Sequence, residues 1–209
     1  MDNVKEKILN VSSELFLSQG FKKTTTRQIL AKANIKNGSL YHFFKNKEDV
    51  FRHLAIDTFD EGERVAEKLA KKDMSPVLKY AIVLNMELYS VEKHDRVAEL
   101  YYEAYSSWAV FETLARKGAQ RNKLFFNMYN PEFTDQDYYI RTVAIKGCIY
   151  SFIAERYHKR EVPYQTKIET LLEISLSLFN IPKSEIENAI KKSCDIVKKK
   201  KIVVSGFKI

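Results

Sequence analysis

Apolar residues recur at Val4, Ile8, Val11 and Leu15, a spacing of four, three and four that draws one stripe along a helix over residues 3–18. Leu9 and Phe16 widen that stripe. Gly20 is the expected stop, because it takes the left-handed backbone at a helix end without a side-chain clash, and Phe21 can then fold back onto the core. A second, short helix is predicted within "TTTRQILAKA" (24–33): Thr25 and Gln28 have the spacing of a capping box, and Ile29, Leu30 and Ala33 form its inward face. "NIKNG" (34–38) ends it with two Asn, a Gly and one apolar anchor, Ile35.

A third short helix is predicted over 38–45. At 3.6 residues per turn Leu40, Phe43 and Phe44 fall within about 100° of one another and read as core. Gly38, Tyr41, His42 and Lys45 fall opposite; that set has no apolar purpose and consists mostly of hydrogen-bond donors. Further helices are predicted over 47–72, 75–93, 96–106, 107–130, 134–160, 164–180 and 184–200, with Ser184 and Glu187 as another capping box. Short second and third helices joined by a tight turn make a helix-turn-helix. The expected fold is therefore all-α, with a three-helix helix-turn-helix domain at 1–46 and a larger helical domain at 47–209. The closing "IVVSGFKI" reads as no particular element.

Composition narrows this picture. Only 6 Gly and 4 Pro in 209 residues argue against an all-β chain, which needs frequent turns. The net charge of +8 is uneven: residues 1–50 hold 9 Lys and Arg against 5 Asp and Glu, residues 184–209 hold 7 against 3, and the stretch between is neutral. A basic end suits a polyanionic partner. Cys148 and Cys194 stand far apart with no ligand spacing, which points to a reducing compartment and no metal site. No apolar signal core opens the chain and no run approaches membrane-spanning length, so a cytoplasmic protein without membrane contact or cofactor is expected.

The stretch "GFKKTTTRQILAKANIKNGSLYHFFKNKEDVF" (20–51) resembles the DNA-binding region of the tetracycline-repressor (TetR) family, and "LYHFFKNKEDV" is its most specific part. The resemblance implies a dimeric, all-helical, ligand-responsive transcription factor. A third helix lying in the major groove would bring Gly38 close to DNA, Asn37, Ser39 and His42 to bases or nearby phosphates, and the Tyr41 hydroxyl to a phosphate. Thr24, Thr25 and Arg27 at the start of the second helix, with Lys36, Lys45 and Lys47, complete the expected DNA contacts. Family members commonly cap the third helix with a small hydroxyl residue followed by lysine. Here Lys36 and Asn37 stand in those places, which leaves Asn37 to cap the helix or to read a base.

In the larger domain, Ala144, Gly147, Ser151 and Ala154 form a ridge of small residues that lets another helix approach. With Leu171, Leu172 and Leu178 of the next helix, Gly147, Ser151 and Ala154 are expected at a two-fold interface of a homodimer, as the resemblance implies. Met86, Tyr89, Tyr102, Tyr105, Trp108, Phe126 and Phe152 are expected to line a partly apolar or aromatic effector pocket, although each also reads as ordinary core. The function expected is a repressor that binds a palindromic double-stranded DNA operator and is released by a small-molecule effector. An effector-independent activator or architectural DNA-binder is the alternative. An all-helical enzyme is more remote, because no nucleophile–base pair, phosphate loop or metal spacing is visible.

Overall fold

The computed structural model describes residues 2–69, 74–159 and 162–200. Ten helices and no strand occur among them: α1 (Asp2–Gln19), α2 (Thr26–Ala33), α3 (Asn37–Phe43), α4 (Lys47–Leu69), α5 (Pro76–Lys93), α6 (Asp95–Ser106), α7 (Trp108–Phe126), α8 (Asp135–Tyr157), α9 (Tyr164–Ser177) and α10 (Lys183–Lys200). The chain is all-α, as its periodicity predicts.

α5 is the axis of the larger part. Its sequence "VLKYAIVLNMELYSV" is apolar around most of the circumference, and every residue from Tyr80 to Val91 is buried. A helix that is apolar all round has to be surrounded. It packs against α4, α6, α7, α8, α9 and α10. At the N-terminal end, α1 carries α2, α3 and the start of α4 around Ile8, Phe16, Ile29, Leu40, Phe44, Val50 and Phe51, all buried. The Phe51 ring lies 5.5 Å from that of Phe16, edge-on, and 4.5 Å from that of Phe21. α1 also touches α6.

Several boundaries differ from the sequence expectation. α3 ends at Phe43, not at residue 45; Phe44 leaves the helix in an extended conformation (φ −138°, ψ 135°), which drives its ring into the core beside His53. α7 stops at Phe126 because Asn130 folds back, its side-chain amide donating to the Phe126 and Phe179 carbonyls at 3.0 and 2.8 Å. α10 begins at Lys183, with the Pro182 carbonyl accepting from the Glu185 and Ile186 amides, so Ser184 sits inside the first turn and is no N-cap. A capping box forms instead at Thr134 and Asp137, before α8. The predicted end of α4 at 72 and the tail "IVVSGFKI" lie outside the described residues.

Gly20 closes α1 as expected, with φ 92°. A Cβ on it would stand 2.5 Å from Glu99 Oε1 and 2.7 Å from Arg96 Nη1 of α6; these ends of flexible side chains can move aside, so it is the backbone that requires glycine. Gly20→Ala is expected to cost about 1–2 kcal/mol from the left-handed backbone alone, lowering Tm by roughly 2–8 °C. Calorimetry checks this; an unchanged Tm would show that alanine takes the backbone of residue 20 without strain.

Candidate nucleic-acid interface and ligand cavity

The helix-turn-helix is built by local hydrogen bonding. Thr25 Oγ1 accepts from the Gln28 amide at 3.3 Å while Gln28 Oε1 accepts from the Thr25 amide at 2.8 Å, the reciprocal box read from the sequence. α2 ends at Asn34, which takes the left-handed conformation (φ 48°, ψ 55°) that Asn tolerates better than most residues. Its amide donates to Ala31 and Leu30, and the Ile35 amide also donates to the Leu30 carbonyl. Lys36 then occupies the N-cap position of α3 without a side-chain capping bond. Asn37 is the first helical residue, exposed, and its side chain makes no hydrogen bond among the described residues. The choice posed by the sequence dissolves: Asn37 is not spent on capping.

The two faces of α3 separate cleanly. Leu40 is buried and Phe43 half-buried, with Phe44 buried just beyond the helix, while Asn37, Gly38, Tyr41, His42 and Lys45 are exposed and Ser39 is half-buried. Tyr41 shows 55% of its surface, and its hydroxyl has no partner among the described residues. A Cβ on Gly38 would meet nothing within 4 Å. Thr25, Arg27 and Lys36 are exposed nearby. Thr24 differs: its side chain is buried, and its hydroxyl donates to the Gly20 carbonyl at 2.8 Å and accepts from the Gln19 amide at 3.1 Å.

Lys47 is half-buried. Its ammonium donates to the Phe21 and Thr24 carbonyls at 3.0 and 2.9 Å and stands 4.2 Å from the centre of the Phe21 ring. It ties the start of α4 to the α1–α2 connection, a role the sequence does not announce. Beside it Asn46 Oδ1 accepts from the Asp49 amide at 2.8 Å, and Asp49 accepts from the Lys45 amide at 3.0 Å and from Arg52 at 2.7 Å. Burial alone would raise the Asp49 carboxyl; Arg52 and the Lys45 amide outweigh it and hold the group below its ordinary range.

A cavity with about 510 Å³ of empty space, open solvent at its mouth included, lies between α4, α5, α6 and α7. Its walls are Ala55, Thr58, Phe59 and Gly62 of α4, Val83 and Glu87 of α5, Leu100, Tyr101, Ala104 and Tyr105 of α6, and Leu114 of α7. Of the seven residues expected to line a pocket, Tyr105 alone is in this wall. Phe126 is fully buried against Tyr80 and Phe179, Met86 and Tyr89 pack in a separate cluster around Val197, and Tyr102 stacks on Tyr150 and Tyr157. Phe152 is half-buried, and Trp108 lies on the surface, 65% exposed. The small residues Ala55, Gly62 and Ala104 open the space, and a search for rings passes over them. Glu87 could have been found, since a charge in the middle of a helix apolar on every side has to be buried.

Behind the wall the polar groups are linked. Tyr105 donates a short hydrogen bond to Glu87, and the Lys146 ammonium of α8 lies 2.8 Å from the Tyr105 oxygen and 3.5 Å from Glu87 Oε2. Burial pulls Lys146 below the ordinary lysine range, partly countered by Glu87, and burial followed by the charge of Glu87 pushes Tyr105 well above the ordinary range for tyrosine. Among the described residues no group of three His, Cys, Asp or Glu could hold a metal ion.

On α8 and α9 the expected interface residues split. Leu171 and Leu172 are fully buried within the chain and present nothing to a partner; Gly147, Ala154 and Leu178 are half-buried and Ser151 is exposed. The apolar residues that do face outward are Ile140 (57% exposed), Ala144 and Ile174 (40%).

Residues 8–54 match the family model described as bacterial regulatory proteins, tetR family. The chain is 45% identical over 49 residues to the HTH-type transcriptional regulator QacR of Staphylococcus aureus, a match covering 23% of this chain and only 26% of QacR. It is 24% identical over 154 residues to the HTH-type transcriptional repressor KstR2 of Mycolicibacterium smegmatis, covering 72% of this chain and 74% of that one. Among solved structures, RolR in complex with resorcinol superposes with a TM-score of 0.66 over 92% of this chain and 93% of RolR at 15% identity, which is a likeness of fold. No described helix is long and apolar enough to cross a membrane. The family match thus falls on the helix-turn-helix, residues 8–54, and a likeness of fold to RolR extends over most of the chain.

Proposed function

We propose that this protein is a homodimeric transcriptional repressor that binds a palindromic operator through α2 and α3 and is released by a small molecule entering the cavity between α4, α5, α6 and α7. The observation that carries the reading is the division of α3: an apolar side anchored in the core by Leu40, with Phe43 half-buried and Phe44 buried just beyond, and an exposed outward side of Asn37, Gly38, Tyr41 and His42. An α-helix fits the major groove, where base edges are distinguishable. Arg27, Lys36 and Lys45 flank it with positive charge for phosphates. A single helix-turn-helix reads a short half-site, so two copies are needed, and the outward face of α8 and α9 around Ile140, Ala144, Ser151 and Ile174 is the surface for the second copy. The repressor named KstR2 and the ligand-bound RolR structure support the same reading.

Two helices run from the cavity to the DNA module. α4 lends Ala55, Thr58, Phe59 and Gly62 to the cavity and Val50, Phe51 and Leu54 to the core beside α1. α6 lends Leu100, Tyr101, Ala104 and Tyr105, while Glu99 and Arg96 lie beside Gly20 and Glu103 lies 2.7 Å from the Lys22 ammonium. An effector that binds better when α6 and α4 have shifted lowers operator affinity by that difference.

Gly38→Leu tests the reading most economically. Nothing in the protein opposes a side chain there, and leucine is a better helix former by up to about 1 kcal/mol, so Tm should hold or rise while operator affinity falls by at least about tenfold. Unchanged affinity would take α3 out of the groove. Lys45→Ala removes two phosphate contacts per dimer and is expected to reduce the slope of log K against log salt by about 1.8. Lys47→Ala should do the same through its third ammonium proton and also lower Tm; a lower Tm with the slope unchanged would leave it an internal tie only. In amide hydrogen exchange, operator DNA should slow exchange in α6, and Lys22→Ala should lessen that slowing; equal protection in both proteins would mean the Lys22–Glu103 pair transmits nothing.

A further inference from the structure

The polar groups of the cavity specify the chemistry of its occupant. Eight of its wall residues are apolar or glycine: Ala55, Phe59, Gly62, Val83, Leu100, Ala104 and Leu114 outright, and Tyr101 through its ring. Thr58 is already committed, its hydroxyl donating to the Leu54 carbonyl at 2.7 Å. Three polar groups remain. Tyr105 is engaged on both sides, donating to Glu87 and accepting from Lys146. Glu87 takes the Tyr105 proton on Oε1 and only a long 3.5 Å contact from Lys146 on Oε2, whereas a carboxylate can accept about four hydrogen bonds. Tyr101 is the outlier: it is 9% exposed, lines the cavity, and its hydroxyl has no hydrogen-bond partner among the described residues. A hydroxyl at the cavity wall with no partner among the described residues is open to a hydrogen bond with an occupant.

Charge limits the choice further. Glu87 is matched by the buried Lys146, whose ammonium also lies 4.7 Å from the centre of the Phe59 ring. Arg121, itself paired with Glu63 at 2.9 Å, stands beside the same Phe59 ring. An added cation would meet Lys146 and Arg121 close behind Glu87, and an added anion would meet Glu87 itself. A neutral molecule that offers a donor to Glu87 and an acceptor to Tyr101 meets neither penalty, and one hydroxyl group supplies both.

We propose that the cavity binds small neutral molecules with a ring-sized apolar body and a hydroxyl group, of the phenol class, the hydroxyl donating to Glu87 and accepting from Tyr101. This rests on the effector-site reading for its regulatory meaning, but the binding chemistry is testable apart from it.

Isothermal titration calorimetry of the full chain with 3-methylphenol, toluene, benzoate and phenyltrimethylammonium separates the options. The expected order is 3-methylphenol tightest, toluene about tenfold weaker for want of the hydroxyl, and the two ions weaker still. Tyr101→Phe should weaken 3-methylphenol by about five- to tenfold and leave toluene unchanged. Glu87→Gln is the second variant, used only if its Tm shows that it folds with Lys146 unmatched, and it should weaken 3-methylphenol as well. Toluene binding as tightly as 3-methylphenol, tighter binding of either ion, no response to Tyr101→Phe, or no binding by any of the four overturns the proposal. If 3-methylphenol binds as expected yet operator affinity is the same with and without it, the ligand class stands and the effector reading fails.

Discussion

Burying a carboxylate at the centre of α5 is the constraint around which the larger part of this protein is arranged. Glu87 sits on a helix surrounded on every side, where a lone charge would be prohibitively costly. The cost is offset by Lys146 from α8 and Tyr105 from α6, so three helices are fixed relative to one another by one polar knot as well as by apolar packing. Whether such a buried pair adds net stability is secondary, since an apolar replacement often does as well. What the knot does is place one carboxylate and one tyrosine hydroxyl, Glu87 and Tyr105, at the wall of a cavity that is otherwise largely apolar.

The DNA module obeys a different constraint. A seven-residue helix has little stability of its own, so α3 holds its position only because Leu40, and Phe44 just beyond it, are fixed by α1 and α4, and because Lys47 ties α4 to the α1–α2 connection. Tight anchoring on one side is what leaves the other side free for the recognition proposed for it. The same α6 that carries Tyr101 and Tyr105 meets Gly20 and Lys22 on its opposite face, so cavity and DNA module share a wall and no separate linker is needed.

Much of this was legible in the sequence because amphipathic helices announce themselves through spacing. The α1 stripe, the Thr25–Gln28 box, the Gly20 stop and the inward Leu40 and Phe44 are local signals, and local signals survive folding. What failed was anything that depended on which of two apolar faces meets which neighbour. Leu171 and Leu172 read as interface residues because α9 is apolar over a broad arc, yet they face the chain's own core and leave Ile174 outside. Aromatic residues were expected at the cavity because rings line ligand sites; here most of them fill the core, and the space is opened by Ala55, Gly62 and Ala104, which leave no positive trace in a sequence. Lys146 was invisible for a related reason: a lysine on a mixed helix reads as solvated unless a buried partner is already known.

The central claim is that two copies of this chain present their α3 helices to a two-fold symmetric DNA site. Selecting bound sequences from a pool of random duplexes and sequencing them tests it directly. The account predicts an inverted repeat whose half-site centres lie a whole number of helical turns apart, about 34–36 Å or a multiple. Enrichment of a single unrepeated half-site, or no enrichment over non-specific DNA, would contradict it.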